Sequence, residues 1–76
     1  MSQVKDIARY LAEHKIITAM EALEEFGCFR LAARIYDIRS KGIDIMAADL
    51  KLPNGKHVTR YMWVNTDRNR ELLSKL

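Results

Sequence analysis

The chain has 76 residues, of which 49% are hydrophobic and 30% are charged. This length and balance fit one small globular domain and exclude a disordered chain. No apolar run approaches the roughly 18 residues of a membrane-spanning helix, and the first residues lack the apolar segment of a secretory signal. The single Cys28 cannot form an internal disulfide, which fits a reducing compartment. A cytoplasmic protein without a membrane partner is therefore expected.

Positive charge is concentrated in the middle of the sequence. Residues 1–29 contain three Lys or Arg against five Asp or Glu, whereas residues 30–60 contain seven against three. Residues 61–76 are almost balanced, with three against two. Such a block is either an ordinary solvated surface or a face that binds an anion, and the anion-binding face is the sharper hypothesis.

The first segment has the spacing of an amphipathic helix from Ser2 to His14. Ser2 is a suitable N-cap because its hydroxyl accepts a hydrogen bond from an otherwise unpaired backbone N–H. The β-branched pair Ile16-Ile17 then predicts a short extended link to the next helix. Four apolar residues fall on one face of this first helix: Val4, Ile7, Ala8 and Leu11.

A capping box opens the second helix at Thr18. Its side chain and that of Glu21, three residues later, satisfy each other's backbone N–H groups. The helix is predicted to end at Phe26, because Gly27 accepts the left-handed conformation that terminates many helices. Its predicted apolar face consists of Ala19, Ala22, Leu23 and Phe26.

A third helix follows after a turn of three residues. It is predicted from Phe29 or Arg30 to Lys41, with Gly42 as its stop. Its core face consists of Leu31, Ile35 and Ile38. Four residues are expected within a sector of about 60° on the opposite side, with Ala33 beside them: Arg30, Arg34, Asp37 and Lys41. We interpret this basic stripe as a surface that approaches another molecule closely.

After Gly42 the pattern changes to strands. Residues 43–52 place apolar side chains at alternate positions, and Pro53-Asn54-Gly55-Lys56 is a strong turn signal. Residues 57–64 have strand propensity, so a β-hairpin is predicted, with Tyr61 and Trp63 covering the core. Its basic residues are Lys51, Lys56, His57 and Arg60.

The tail, residues 66–76, predicts a last short helix. Thr66 or Asp67 would cap this helix at its N-terminus. Its apolar stripe would consist of Leu72, Leu73 and Leu76.

Two helices joined by a short turn that contains glycine form the pattern of a helix-turn-helix, and a hairpin directly after them is typical of a winged helix. The segment ITAMEALEEFGCFRLAARIYDIRSKGIDI, residues 17–45, resembles the small helix-turn-helix domains common in bacteriophage and prophage genomes. The following LPNGKHVTRY resembles the wing of the same family, and the resemblance covers about residues 4–63. Its most specific part is RLAARIYDIRSKG, where the arginines, the apolar register and the final glycine occur together.

The resemblance implies a mostly helical α+β fold, the winged helix-turn-helix, with three helices, a two- or three-stranded β wing and an optional short C-terminal helix. We expect one domain over residues 1–76, with the helix-turn-helix at about 18–41, the wing at about 43–64 and the tail at 66–76. Two positions depart from the usual pattern. Leu23 replaces a small residue four positions before the turn glycine, and Phe29 replaces the Ser or Thr cap of the third helix.

The resemblance also implies binding of double-stranded DNA, with the third helix in the major groove. Arg30 and Arg34, next to the small Ala33, would read or brace base edges. Asp37 would accept a hydrogen bond from cytosine, orient Arg34 or pair with Lys41. Phosphate contacts would come from Lys41 and from three wing residues: Lys56, His57 and Arg60.

A domain of this size is expected to bind DNA as a homodimer or as adjacent copies, because one copy has a small footprint. The tail leucines are the candidate contact between copies. The expected role is that of a small transcriptional regulator or recombination accessory factor of a phage or mobile element. Such a protein would act in the cytoplasm of a bacterial host and associate with the nucleoid when bound to DNA.

The main alternative is a winged-helix adaptor that binds protein and not DNA, because a fold does not fix a function. The acidic second helix and the leucine-bearing tail would then be partner surfaces. Single-strand or RNA binding ranks third, since it calls for exposed aromatic residues among basic ones. Catalysis, a metal, a cofactor and a small-molecule substrate are not expected, because Cys28, His14 and His57 lack any recognised spacing of such sites.

Overall fold

The computed structural model describes residues 3–76, which form four helices and three strands in an α+β arrangement. The predicted N-cap Ser2 lies outside the described residues. In chain order the elements are α1 (Gln3–His14), β1 (Ile16–Thr18), α2 (Ala19–Phe26), α3 (Leu31–Ser40), β2 (Ile45–Lys51), β3 (His57–Trp63) and α4 (Asp67–Ser74). The three strands form an antiparallel sheet in the order β1-β3-β2. This is the predicted winged helix-turn-helix architecture, with three strands in the sheet and the short C-terminal helix present.

The link between the first two helices is a strand of the sheet, which the sequence alone did not reveal. Ile17 lies opposite Tyr61 of β3, and the backbone N–H of Trp63 donates to the Lys15 carbonyl at 2.9 Å. Three residues are too few to show a period of two, and their partner strand lies more than 40 positions further along the sequence.

The predicted capping box of α2 is confirmed. The Glu21 backbone N–H donates to the Thr18 hydroxyl at 3.3 Å, and the Thr18 backbone N–H donates to Glu21 Oε1 at 3.0 Å. Gly27 ends the helix with a φ of 63°, and its N–H donates to the Leu23 carbonyl at 2.9 Å. The start and end of α2 are thus both fixed by local sequence.

The predicted inner face of α2 is only partly correct. Ala22 is fully buried and Phe26 is half-buried, whereas Ala19 and Leu23 are exposed. A helix of eight residues meets its neighbours along a narrow stripe, so the four residues of the pattern do not all reach the core. Ala22 therefore supplies the small buried residue in this helix, and the departure at Leu23 does not disturb the packing.

Replacing Thr18 with alanine should lower the free energy of unfolding by about 1 kcal/mol, because the first turn of α2 loses its side-chain acceptor. Urea denaturation measures this change. Thr18→Ser keeps the hydroxyl and is the matched control, expected to stay close to the wild type. Equal losses in both variants would show that the methyl group, and not the cap, carries the effect.

Tyr10 connects α1 to α2. Its hydroxyl donates to Glu21 Oε2 at 3.3 Å, and its ring lies 4.2 Å from the His14 ring and edge-on to the Phe26 ring. Burial of the hydroxyl and the neighbouring Glu21 carboxylate raise the pKa of Tyr10. The tyrosine therefore stays a neutral donor and holds the first helix of the helix-turn-helix against α1.

The core lies between α1, α3 and the sheet. Every residue predicted on the core face of α3 is buried, as are three of the four predicted for α1, with Val4 partly buried against them. Trp63 is buried and Tyr61 packs against the core, so both serve as core cover as predicted. The buried apolar side chains are Ile7, Ala8, Leu11, Ile17, Ala22, Cys28, Leu31, Ile35, Ile38, Ile43, Ile45 and Trp63.

The predicted hairpin is present, with strands slightly shorter than expected. Residues from Ile45 to Lys51 pair one to one with residues from Trp63 back to His57. The Leu52 N–H donates to the Lys56 carbonyl at 2.7 Å and closes a three-residue loop in which Gly55 has a φ of 84°. Asn54 does not share the left-handed conformation, so the Asn-Gly pair forms a three-residue loop and not the two-residue turn it often makes.

The tail forms α4, as predicted, with Thr66 as its cap: the Thr66 hydroxyl accepts from the Asn69 N–H at 3.1 Å. Its leucines, Leu72, Leu73 and Leu76, pack against the core of their own chain. Each of them is only partly buried, so the predicted contact between copies at these leucines stays a prediction. This partial burial stabilises the attachment of α4 to the rest of the domain.

Candidate nucleic-acid interface

The helix α3 begins one residue later and ends one residue earlier than predicted, a difference typical of helix ends. Arg30 is its N-cap residue and Lys41 its C-cap residue, and both are exposed. Among the described residues, no side chain caps the N-terminus of α3. The cap position is thus held by Arg30 and not by Phe29, and α3 lacks the usual Ser or Thr cap.

The basic stripe lies on the flank of α3 and not opposite the core. Arg34 and Asp37 are half-buried and form an ion pair, with Arg34 Nη2 3.1 Å from Asp37 Oδ2. At 100° per residue the three buried positions of α3 average to a direction roughly 100° from this stripe. The sequence interpretation placed the stripe opposite the core because it did not take the mean direction of the three core positions around the helix axis.

Within the stripe, Asp37 pairs with Arg34 and not with Lys41 in the structure. The Nε of Arg34 is buried and has no hydrogen-bond partner among the described residues. Ala33 is half-buried beside this pair. The exposed cations that the stripe contributes to the surface are Arg30 and Lys41, one at each end of the helix.

The outermost face of α3 is apolar at its centre, a feature that sequence reasoning missed. Tyr36 is 72% exposed, and Phe29, just before the helix, is 86% exposed. Ala32 and Ser40 are exposed one turn to either side of Tyr36. The signal was present in the sequence, since the direction opposite the average of the three core positions passes close to Ser40, with Tyr36 about 50° to one side.

The N-terminal half of α3 faces β3 across an open groove. The groove is lined from the helix side by Phe29 and Ala32 and from the strand side by His57, Thr59 and Tyr61. Lys56 and His57 are exposed at the wing tip. The structure therefore brings Arg30 of the helix and His57 of the wing to the walls of one surface depression.

Arg60 does not join this group. Side chains alternate between the two faces of a strand, so Arg60 lies on the face of the sheet opposite to that of Thr59 and Tyr61. It is half-buried between Thr18 and Ala48 on the neighbouring strands, and its Nε has no hydrogen-bond partner among residues 3–76. Of the eight predicted site residues, Arg60 is the one that the fold separates from the surface of α3.

Neither a membrane span nor a metal cluster is found in residues 3–76. No described helix has both the length and the apolar character to cross a bilayer. No three His, Cys, Asp or Glu side chains of these residues come together as metal ligands would.

A family model for the winged helix-turn-helix domain matches residues 2–66, which include the three-stranded sheet and the first three helices. The match ends one residue before α4 begins. No curated protein and no solved structure matches the chain. Domains of this kind typically bind DNA and typically are not enzymes. The match covers most of the sequence, and the chain belongs to the winged helix-turn-helix domain family.

Proposed function

We propose that the protein binds double-stranded DNA sequence-specifically, with α3 in the major groove and the wing on the phosphate backbone. The observation that carries this proposal is the joint surface of α3 and the wing tip. Arg30 at the N-terminus of α3 and His57 of the wing line the groove between α3 and β3, and Lys56 is exposed beside His57 at the wing tip. Lys41 is exposed at the other end of α3, where it lines a depression with Lys5 and Lys75. Cations at the edges of a protruding helix suit contact with phosphates on both sides of a groove.

The eight predicted residues take different roles in this proposal. Arg30 is exposed at the N-terminus of α3 and is placed to read a base edge, where arginine suits guanine O6 and N7. Arg34 is held by Asp37 and braces the helix, with Ala33 allowing close approach beside it. Phosphate contacts come from Lys41, Lys56 and His57. Arg60 adds to the positive electrostatic potential of the sheet and makes no direct contact with the DNA.

We further propose that residues 1–76 act as one domain in the cytoplasm of a bacterial host, associated with the nucleoid. The role is that of a small transcriptional regulator or recombination accessory factor of a phage or mobile element. Two copies, as a homodimer or on adjacent half-sites, would raise the affinity, since one copy has a small footprint. The tail leucines, which are only partly buried against their own core, are the candidate contact between the copies.

Fluorescence anisotropy with random-sequence and host-type duplexes tests the proposal. The Arg30→Ala/Arg34→Ala variant is expected to lose at least ten-fold in affinity at low salt, because it loses the base contact of Arg30 and the side chain of Arg34 that braces the helix. The matched control is Arg9→Ala/Arg70→Ala, which removes the same charge from a surface depression lined by α1, Trp63 and α4. Circular dichroism checks that both variants are folded.

Wild-type protein that binds no duplex even at low salt would contradict the proposal. Equal losses in the two arginine variants would also contradict it, because net charge and not α3 would then set the affinity.

One observation favours the adaptor as a second candidate function. Helix α2 exposes Met20 and Leu23 beside the exposed carboxylates of Glu24 and Glu25. An apolar patch with acidic edges suits a basic protein partner and does not suit DNA. A wild type without any DNA affinity would make α2 the surface to test with Met20→Ala/Leu23→Ala.

A further inference from the structure

We propose that α3 reads thymine methyl groups in the major groove through the apolar face formed by Phe29, Ala32 and Tyr36. This inference rests on the proposed function and names the kind of DNA sequence that the helix recognises. Phe29 and Tyr36 are the two most exposed large apolar side chains of residues 3–76, at 86% and 72%. Both lie on the surface that would enter the groove, and neither contributes to the buried core.

The chemical groups exposed in the major groove indicate which part of the DNA this apolar face would contact. Base pairs present hydrogen-bond donors and acceptors there, and the apolar feature among them is the C5 methyl group of thymine. A helix that reads guanine or adenine presents Arg, Asn or Gln toward the base edges. The exposed positions Ala32 and Tyr36, one turn apart on α3, carry none of these, and the guanidinium of the exposed Arg39 beside them donates to the Ile45 carbonyl of its own chain. This part of the helix surface therefore matches methyl groups.

The rim of this face is positively charged, which favours DNA over a protein as its occupant. Arg30 and Lys41 are exposed at the two ends of α3, and Lys56 and His57 are exposed at the wing tip, with Arg30 and His57 lining the same groove. The acidic residue of the stripe, Asp37, is already paired with Arg34. An apolar centre between cations fits a groove with methyl groups on its floor and phosphates along its edges.

The helical geometry of α3 sets the expected spacing between the thymines that it contacts. Ala32 and Tyr36 lie one helical turn apart, a rise of about 6 Å. Successive base pairs are about 3.4 Å apart, so contacts from these two residues fall roughly two base pairs from each other. The small side chain of Ala32 allows the backbone to approach the bases closely. The preferred site is therefore expected to contain at least two thymines within about three or four base pairs.

Removal of thymine methyl groups tests the inference directly. A preferred duplex is first selected from a random pool by binding to the wild type, and its thymines are then replaced by deoxyuridine, which removes only the C5 methyl. Each contacted methyl should contribute about four-fold in affinity, so the loss of two should weaken wild-type binding by roughly fifteen-fold. The Phe29→Ala/Tyr36→Ala variant should bind the thymine duplex more weakly and discriminate about four-fold or less between the two duplexes, because only the methyl contact of Ala32 remains.

The matched control is Met20→Ala/Leu23→Ala, which removes two exposed apolar side chains from α2 and should keep the full discrimination. The slope of affinity against salt should be the same in the Phe29→Ala/Tyr36→Ala variant and the wild type, because no phosphate contact is removed. Phe29 and Tyr36 are exposed, so their removal leaves the core intact.

Each outcome decides between the two proposals. Wild-type binding that is equally tight to thymine and deoxyuridine duplexes overturns the methyl readout and leaves the proposed function standing. A selected site without thymine would also overturn the methyl readout alone. So would a Phe29→Ala/Tyr36→Ala variant that still distinguishes thymine from deoxyuridine duplexes as strongly as the wild type. A wild type that binds no duplex overturns the proposed function, and the methyl readout with it. The exposed aromatic residues would then form a surface for a protein partner.

Discussion

Replacing Asn69 with alanine is expected to lower the free energy of unfolding by about 3 kcal/mol. Asn69 is fully buried, and its side chain makes three hydrogen bonds. Oδ1 accepts from the Asp44 N–H at 2.9 Å, while Nδ2 donates to the Asp44 and Val64 carbonyls at 2.8 Å each. Alanine leaves these three backbone groups without the partner that now satisfies them, and each unsatisfied buried group costs about 1 kcal/mol or more.

This loss is large for a chain of 76 residues, whose total stability is on the order of 4–11 kcal/mol. Asn69 joins α4 to the segment before β2 and to the end of β3, so its removal should also loosen α4. Urea denaturation followed by the fluorescence of the single tryptophan, Trp63, measures the change. Hydrogen exchange in α4 should rise more than in α3.

The control for this prediction is Asn65→Ala. Asn65 is exposed and accepts a hydrogen bond from Arg70, so its loss should change stability by less than about 0.5 kcal/mol. Asn69→Asp keeps the acceptor but loses both donors and buries a carboxylate, and should be at least as destabilised as the alanine variant. A loss below about 1 kcal/mol for Asn69→Ala would show that water replaces the side chain in these hydrogen bonds.

The second large effect concerns the dependence of DNA binding on salt. With three phosphate contacts from one copy, Lys41, Lys56 and His57, the slope of log affinity against log salt should be about −2.7. A four-fold rise in salt, from about 50 to 200 mM, should then weaken binding by roughly 40-fold. Fluorescence anisotropy over a salt series gives the slope directly. The exposed positions of Lys41, Lys56 and His57 at the edges of the interface are the physical reason for this expectation.

Single substitutions show which residues contribute to the slope of log affinity against log salt. Lys41→Ala and Lys56→Ala should each make it shallower by about 0.9, because each removes one phosphate contact. Arg34→Ala should change the slope little, since its guanidinium is held by Asp37 and half-buried. Arg9→Ala/Arg70→Ala is the control with two fewer charges elsewhere on the surface. A wild-type slope near zero would mean that any binding does not occur through phosphates.

Local sequence was sufficient to predict the features that depend on a single helix, strand or turn. The capping box at Thr18, the stop at Gly27 and the cap at Thr66 are formed as predicted, because each depends on residues at most five positions apart. The core face of α3 was also predictable, since Leu31, Ile35 and Ile38 repeat with the helical period. The same local signals, taken in order, were enough to predict the helix-turn-helix and the wing.

The candidate interface was predictable only in part. Arg30 and Lys41 are exposed as expected, but Arg34 is half-buried in an ion pair and Arg60 lies on the other face of the sheet. Helix periodicity gives the relative directions of side chains, and small errors in the core direction move a stripe from the outside of a helix to its flank. Tyr36 was missed for that reason.

The sequence by itself determined the elements of this protein, their order and most of their ends, because these follow from hydrophobic period and from caps within a few residues. Only the tertiary structure decided that residues 16–18 are a strand, that Asn69 attaches α4, and that the leucines of the tail pack on their own core. These features join residues that are 25 to 45 or more positions apart. Such contacts form because packing brings distant segments together, and no local pattern records which distant partner each residue will meet.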